Sequence, residues 1–315
     1  MVQKGSGTSH AKIILIGEHS VVYGQPAIAL PLSRVTCNVT ILETQSGGQR
    51  IDSRYFDGPV NQLPETMAGI ATLIQKLTAY FNGYDDTWLM QITSMLPAER
   101  GMGSSAATAV AITKAFFDYY GHVVSREQLL AFADIEEQIT HRSPSGLDAA
   151  TVSSDSPIWY VKNSQTVPLQ MNIDATLLIV DTGVEGRTKE AINTVKRQLE
   201  TNQLVTMQRI EQLGKLVRET KSCLQRGDIT KLGKCLTAAQ QQLSALSVSH
   251  PSLDELIDLA MLNGALGAKL TGGGRGGCLI ALMDNETAAK KLATKMVSAG
   301  ASATWIQPLS GGLEA

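Results

Sequence analysis

The chain has 315 residues and a net charge of −2, with 43% hydrophobic and 18% charged residues. This is ordinary soluble globular composition, long enough for one large domain or two that share a cleft. Scattered Lys and Arg exclude the basic footprint of a nucleic-acid or anionic-membrane binder, and four separated cysteines (Cys37, Cys223, Cys235, Cys278) exclude a disulfide framework or a C-x-x-C zinc site.

Residues 1–9 are polar and glycine-rich and lack the apolar centre of a signal peptide. No apolar run approaches a membrane span, so a cytosolic protein is expected. The apolar run 13–16 ends at Gly17 and predicts a buried strand. A second strand is predicted over 35–42, followed by a turn at Gly47 and Gly48. Met67, Ile70, Leu73, Ile74, Leu77 and Phe81 recur at helical spacing and predict an amphipathic helix over 65–81. A strand over 88–95 follows.

Residues 104–120 are rich in alanine and read as a largely buried helix. Ser125 is placed to cap a further helix that ends before Pro144. Strands are predicted over 158–161 and 177–180. Residues 188–246 carry almost no strand signal and read as two or three long helices broken near Gly227 and Asp228. A helix from Ser252, strands near Lys269 and over 278–282, a helix over 286–297 and a strand over 303–306 complete the chain. The polar stretch 163–172 suggests a boundary, giving domains of residues 1–165 and 166–315. Strand pairs with covering helices predict α+β domains, not a doubly wound parallel sheet.

Four segments carry chemistry. The strongest is LPAERGMGSSAA at 96–107, where a strand leads through a glycine loop into a helix opened by two serines. Glycines permit positive φ and close backbone approach. The open N–H groups of the first helical turn attract an anion such as phosphate, and serine hydroxyls can bind its oxygens or a riding Mg²⁺. Neither a Walker A loop nor G-x-G-x-x-G is present. A capped helix start after a tight turn is the plainer alternative.

The second is EQITHRSPSGLD at 137–148, which sets two carboxylates, Glu137 and Asp148, on either side of a Pro-Ser-Gly turn. One could hold a metal while the other orients or deprotonates a hydroxyl. Taken alone, a solvated helix end with a capping Asp148 is the simpler account. The third is KLTGGGRGGC at 269–278, with five glycines between Thr271 and Cys278 in six positions, a density that favours close approach to a ligand or another segment over a flexible hairpin. The fourth is AKIILIGEHSVVYG at 11–24, in which Lys12 flanks the buried strand and Glu18 and His19 sit beyond its other end, where ligand sites often lie.

With these segments in this order, the chain resembles the GHMP kinase superfamily, and within it the members that act on mevalonate. The resemblance spans nearly the whole length. It implies an S5-like N-terminal domain and a ferredoxin-like C-terminal domain with the active site between them. It also implies ATP as co-substrate, Mg²⁺, transfer to the 5-hydroxyl of mevalonate and assembly as a homodimer. By the same resemblance Asp148 and Lys12 are the catalytic pair. Pro97, Gly101, Met102, Gly103, Ser104, Ser105 and Ala106, with Gly273 and Gly274, hold the nucleotide, and Ser105 and Glu137 hold Mg²⁺. Glu18, His19, Thr188 and Gly273 form the acceptor wall.

The acceptor choice rests on GEHSVVYG at 17–24, because galactokinases follow Glu-His with x-Asp-Tyr and phosphomevalonate kinases usually carry Glu-Tyr. A sugar or phosphomevalonate kinase of the same superfamily is the alternative. A non-catalytic nucleotide sensor would have lost the chemistry, yet Lys12, Glu137 and Asp148 are all present. Two positions depart from the family pattern. The usual Ala-Pro-Gly-Lys start is Ser9-His-Ala-Lys12. Arg275 also stands where many members have glycine, and it is expected to add charge near the phosphates.

Overall fold

The computed structural model describes residues 3–97, 100–141 and 146–309. It divides into two compact units that interleave along the chain. One holds Met1–Lys12, Pro31–Ala98 and Gly103–Asp155; the other holds Ile13–Leu30, Glu99–Met102 and Ser156–Ala315.

The first unit is built on long strands β1 (Lys4–Ile16) and β2 (Ala27–Glu43), which continue into the second, with β3 (Gln49–Ser53), β4 (Asp57–Pro59) and β5 (Trp88–Ser94). Their order is β4-β3-β5-β2, and β1 also pairs with β2. β5 runs antiparallel to β2, pairing Ser94 with Cys37, and parallel to β3, pairing Met90 with Ile51. Helices α1 (Ala68–Tyr80), α2 (Ser104–Tyr119), α3 (Arg126–His141) and α4 (Leu147–Val152) belong to the same unit. The helix expected over 65–81 opens as a 3₁₀ turn, Glu65–Met67, directly after Pro64.

β1 starts nine residues before the apolar run that announces it. Its first residues alternate exposed and buried, but the buried positions are Gly5, Gly7 and Ser9, which give no hydrophobic signal. Their smallness has a cause. A Cβ on Gly5 would stand 2.4 Å from the Ala115 carbonyl oxygen, and one on Gly7 would stand 2.1 Å from that of Ala111. The strand therefore lies backbone to backbone on the alanine face of α2, where Ala107, Ala111 and Ala115 are fully buried. Ser125 caps α3 in a reciprocal box: its Oγ accepts from Gln128 N at 3.2 Å, and Gln128 Oε1 accepts from Ser125 N at 3.0 Å.

In the second unit, β6 (Ile158–Val161) pairs Tyr160 with Ala27 of β2 and forms a hairpin with β7 (Gln165–Pro168). The hairpin turns at Asn163, whose φ is 58°; polar composition had made this stretch look irregular. Then come β8 (Thr176–Asp181), α5 (Thr188–Thr201), α6 (Gln203–Arg226), α7 (Ile229–Ala245), α8 (Pro251–Leu262), β9 (Gly267–Thr271), β10 (Cys278–Met283), α9 (Glu286–Ser298) and β11 (Ala303–Pro308). The sheet order β11-β8-β10-β9, antiparallel throughout, is that of a ferredoxin-like split βαβ. β8, β9 and β10 are buried along their whole length, which explains their short, continuous apolar runs. The break between α6 and α7 falls where expected: Gly227 takes φ 75°, and Asp228 Oδ1 accepts from Lys231 N at 2.9 Å. Among the described residues no helix is long and apolar enough to cross a membrane.

Candidate active site

In the first unit the catalytic candidates converge. Lys12, near the buried end of β1, is 2% exposed, and its Nζ lies 2.8 Å from Asp148 Oδ1. A buried ammonium is tolerated only with a partner. Asp148 sits in the first turn of α4 behind Gly146, whose φ is 75°, so the helix dipole also favours its negative charge. One third of its side chain stays exposed, leaving room for another group to reach it.

Glu137, near the end of α3, is buried, and its Oε1 accepts from Ala149 N at 3.1 Å. That bond ties α3 to the start of α4 across residues 142–145, which include Pro144 and Ser145 of the turn motif and lie outside the described residues. Burial, and next the charge of Asp148, push the Glu137 carboxyl up to about 8 against the opposing pull of the Ala149 amide. The Lys12 ammonium, paired with Asp148, pulls it down more weakly. Among the described residues no three His, Cys, Asp or Glu side chains are grouped to cage a metal. The two candidates the sequence offers, the buried Glu137 carboxylate and the Ser105 hydroxyl, would make a sparse, all-oxygen donor set. Such a set fits Mg²⁺ carried on substrate phosphates and does not fit a resident transition metal.

The loop before α2 is shaped by glycine. Gly101 and Gly103 take φ of 76° and 73°. A Cβ on Gly103 would come 2.9 Å from Lys12 Cγ and 3.2 Å from Val152 Cγ1, so this loop lies directly over the lysine stem. The first intrahelical bond is from Ala107 N to the Gly103 carbonyl, and no side chain caps the helix. The amides of Ser104, Ser105 and Ala106 thus have no helical acceptor and are open to an anion. Pro97 lies on the approach from β5, while Ala98 and Glu99 of the motif are outside the described residues. Met102 and Ala106 are buried and anchor the two sides of the loop.

The second unit gathers the acceptor candidates. His19 takes φ 59°, and its Nε2–H donates to the Gly273 carbonyl at 2.9 Å. Burial lowers the imidazole to about 4; the bond to Gly273 opposes this and the nearby Lys269 charge adds to it. The ring is therefore neutral near pH 7. A Cβ on Gly273 would fall 2.1 Å from Thr188 Oγ1, so only glycine lets Thr188 stand here. Glu18 is fully buried and ion-paired with Lys269, also fully buried. Burial lowers the Lys269 ammonium, which Glu18 opposes. Thr271 Oγ1 donates to the Ile14 carbonyl and accepts from Ile14 N, both at 3.0 Å, seating the glycine loop on β1.

Gly274 has Val248 as its neighbour: a Cβ there would lie 2.1 Å from the Val248 carbonyl oxygen. Arg275 holds its side chain within the second unit. Its backbone takes φ 57°, the conformation that makes glycine usual at this position, and its guanidinium turns onto α5, donating to Thr194 Oγ1 at 3.0 Å and the Ser247 carbonyl at 3.2 Å. Sequence reasoning missed Lys269 as the partner of Glu18 and the pair Arg100–Asp181. The lysine at the head of the KLTGGG segment, inside an apolar strand, was the available signal; a buried lysine implies a buried acid.

A two-domain, nucleotide-handling α+β protein is what these elements define, and the family comparisons agree. The family model described as GHMP kinases N terminal domain matches residues 66–155, and that described as GHMP kinases C terminal matches 220–302. The chain is 32% identical to the mevalonate kinase of Pyrococcus horikoshii over 95% of its own length and 94% of that protein's. The crystal structure of mevalonate kinase from methicillin-resistant Staphylococcus aureus is similar with a TM-score of 0.75 at 32% identity, covering 98% of this chain and 100% of that one. L. major mevalonate kinase in complex with R-mevalonate gives a TM-score of 0.83 at 25% identity, with 98% of each chain covered. This chain belongs to the GHMP kinase family.

Proposed function

We propose that the protein is a mevalonate kinase, catalysing ATP + mevalonate → ADP + 5-phosphomevalonate. The observation that carries this reading is the buried Lys12 ammonium, held 2.8 Å from Asp148 directly beneath Gly103 of the glycine loop. The named relatives supply the acceptor. The amides of Ser104, Ser105 and Ala106 take the triphosphate, with the backbone of Gly101, Met102, Gly273 and Gly274 as its further contacts. Lys12 lowers the proton affinity of the acceptor hydroxyl, and Asp148 orients that hydroxyl and receives its proton as the bond to the γ-phosphorus forms. A loose transition state needs little deprotonation beforehand, so positioning by this pair is the larger part of their work.

Ser105 and Glu137 would hold Mg²⁺. When bound, it neutralises charge on the phosphoryl oxygens. Thr188, His19 and Gly273, backed by Glu18, form the acceptor wall. The neutral His19 lines this wall without adding a charge to it. The protein works in the cytoplasm as a homodimer, and sedimentation of the purified protein tests its assembly.

Turnover of ATP coupled to ADP detection, with mevalonate, phosphomevalonate and galactose offered separately, tests the function. Phosphorylation of mevalonate alone is expected. Turnover of one of the other two in its place would reassign the acceptor.

A further inference from the structure

The glycine loop contains a cation, Arg100, whose obvious use would be to grip phosphate. The structure commits it elsewhere. Arg100 Nε lies 3.1 Å from Asp181 Oδ1 and 3.2 Å from Oδ2, and one terminal nitrogen donates to the Gly183 carbonyl at 3.3 Å. Asp181 is 4% exposed and is itself fixed. It ends β8, pairs with Cys278 and Ala303 on the two flanking strands, accepts from Gly183 N at 2.9 Å, and its carbonyl accepts from Ser302 N. The guanidinium thus bridges two acceptors at the end of an inner strand of the ferredoxin-like sheet, a geometry that arginine satisfies and lysine cannot.

The backbone around Arg100 is held by the same end of the sheet. A Cβ on Gly277 would lie 3.0 Å from the Arg100 carbonyl oxygen, and one on Gly101 would lie 3.3 Å from Gly272 Cα. Gly277 is in turn bonded through its N–H to the Val184 carbonyl and through its carbonyl to Thr182 N. The start of the glycine loop is clasped between the two ends of the second glycine segment and pinned by Arg100 to Asp181.

We infer that Arg100 and Asp181 form a clamp that positions the nucleotide loop, with Arg100 acting as a positioning residue that makes no contact with phosphate. The inference rests on the nucleotide role proposed above for that loop. Fixing Gly101 and Met102 before ATP arrives removes an ordering cost from binding. The clamp should therefore set affinity for the nucleotide and leave affinity for the acceptor alone.

The test is titration of the full-length protein with a non-hydrolysable ATP analogue and Mg²⁺, together with KM for each substrate, in Arg100→Ala, Asp181→Asn, the double variant and Arg100→Lys. Asp181→Asn keeps its shape and, through Oδ1, its bond to Gly183 N, while it removes the charge facing Arg100 and puts an amide donor where Oδ2 accepted from Nε. Each single change is expected to weaken analogue binding and raise KM for ATP by about tenfold, worth about 1.4 kcal/mol. KM for mevalonate should be unchanged, the double variant should be no worse than either single, and Arg100→Lys should recover part of the loss. If Arg100→Ala weakens binding while Asp181→Asn does not, Arg100 grips phosphate directly and the clamp is wrong. The clamp is equally overturned if both variants bind the analogue like wild type, or if both KM values rise together. A wild-type protein that binds no analogue would instead sink the nucleotide reading of the loop, and the clamp with it.

Discussion

Lys12 and Asp148, drawn from the first strand and from a short helix deep in the sequence, meet at 2.8 Å with the lysine almost wholly buried and the aspartate one third exposed. The asymmetry matters. The buried lysine is committed to its partner, whereas the aspartate keeps part of its side chain accessible to a hydroxyl while in reach of the ammonium.

Asp148→Asn is expected to lower kcat by roughly a hundred- to ten-thousandfold, the range for a positioned acid–base group. Binding of an ATP analogue should be unaffected. Lys12→Met should cost a similar factor. Because the two side chains act as one unit, the double variant should be no slower than the slower single. Full additivity in stopped assays would mean that the pair does not act jointly on the hydroxyl.

Glu137→Gln removes the buried carboxylate proposed to hold Mg²⁺ while keeping the bond from Ala149 N. Outer partners of metal ligands are worth roughly 10- to 100-fold in metal affinity, so loss of a direct ligand should raise the Mg²⁺ concentration for half-maximal activity at least tenfold. Excess Mg²⁺ should restore turnover. An unchanged Mg²⁺ titration would remove Glu137 from the metal site.

How far these residues could be read from the sequence depended on how each announces itself. The Ser125 cap and the Gly227–Asp228 break are written in residue types with one dominant local use, and the structure places them as read. The loop at Gly101–Ser105 and the carboxylates Glu137 and Asp148 were visible as motif and spacing. Gly5 and Gly7 were not, because a strand that packs by having no side chains leaves no apolar alternation to detect. The interleaving of the two units was hidden for a related reason. A polar stretch at 163–172 suggests one boundary, but contacts hand residues 13–30 and 99–102 to the second unit. Pairings such as Glu18–Lys269 and Arg100–Asp181 depend on tertiary proximity, which single-sequence spacing does not carry.

Arg275→Gly tests the orientation of the charge in the second glycine segment. The change relieves a left-handed backbone that costs a non-glycine residue about 1 kcal/mol, and it loses two exchanged hydrogen bonds of about 1 kcal/mol each. The melting temperature should move by only a few degrees. KM for ATP should hold, since the guanidinium is turned onto Thr194. A marked rise in that KM would show that the side chain reaches the phosphates after all.

His19 supplies a pH dependence whose direction follows from its burial. In the unfolded chain the imidazole protonates near 6.5, but in the folded protein only near 4. Between these values the unfolded state binds a proton that the folded state refuses, so stability falls as the pH is lowered through that window. The contribution is complete above about pH 6.5 and is lost by about pH 4, amounting to roughly 3 kcal/mol. His19→Gln can still donate to the Gly273 carbonyl but cannot titrate. Urea midpoints measured from pH 7.5 to pH 4.5 should therefore fall more steeply for the wild type than for His19→Gln, the two curves drawing together on the acid side if the variant starts lower. Parallel curves across the whole range would mean that the ring is charged or solvated in the folded protein, and that the neutral donor assigned to it at the Gly273 carbonyl is wrong.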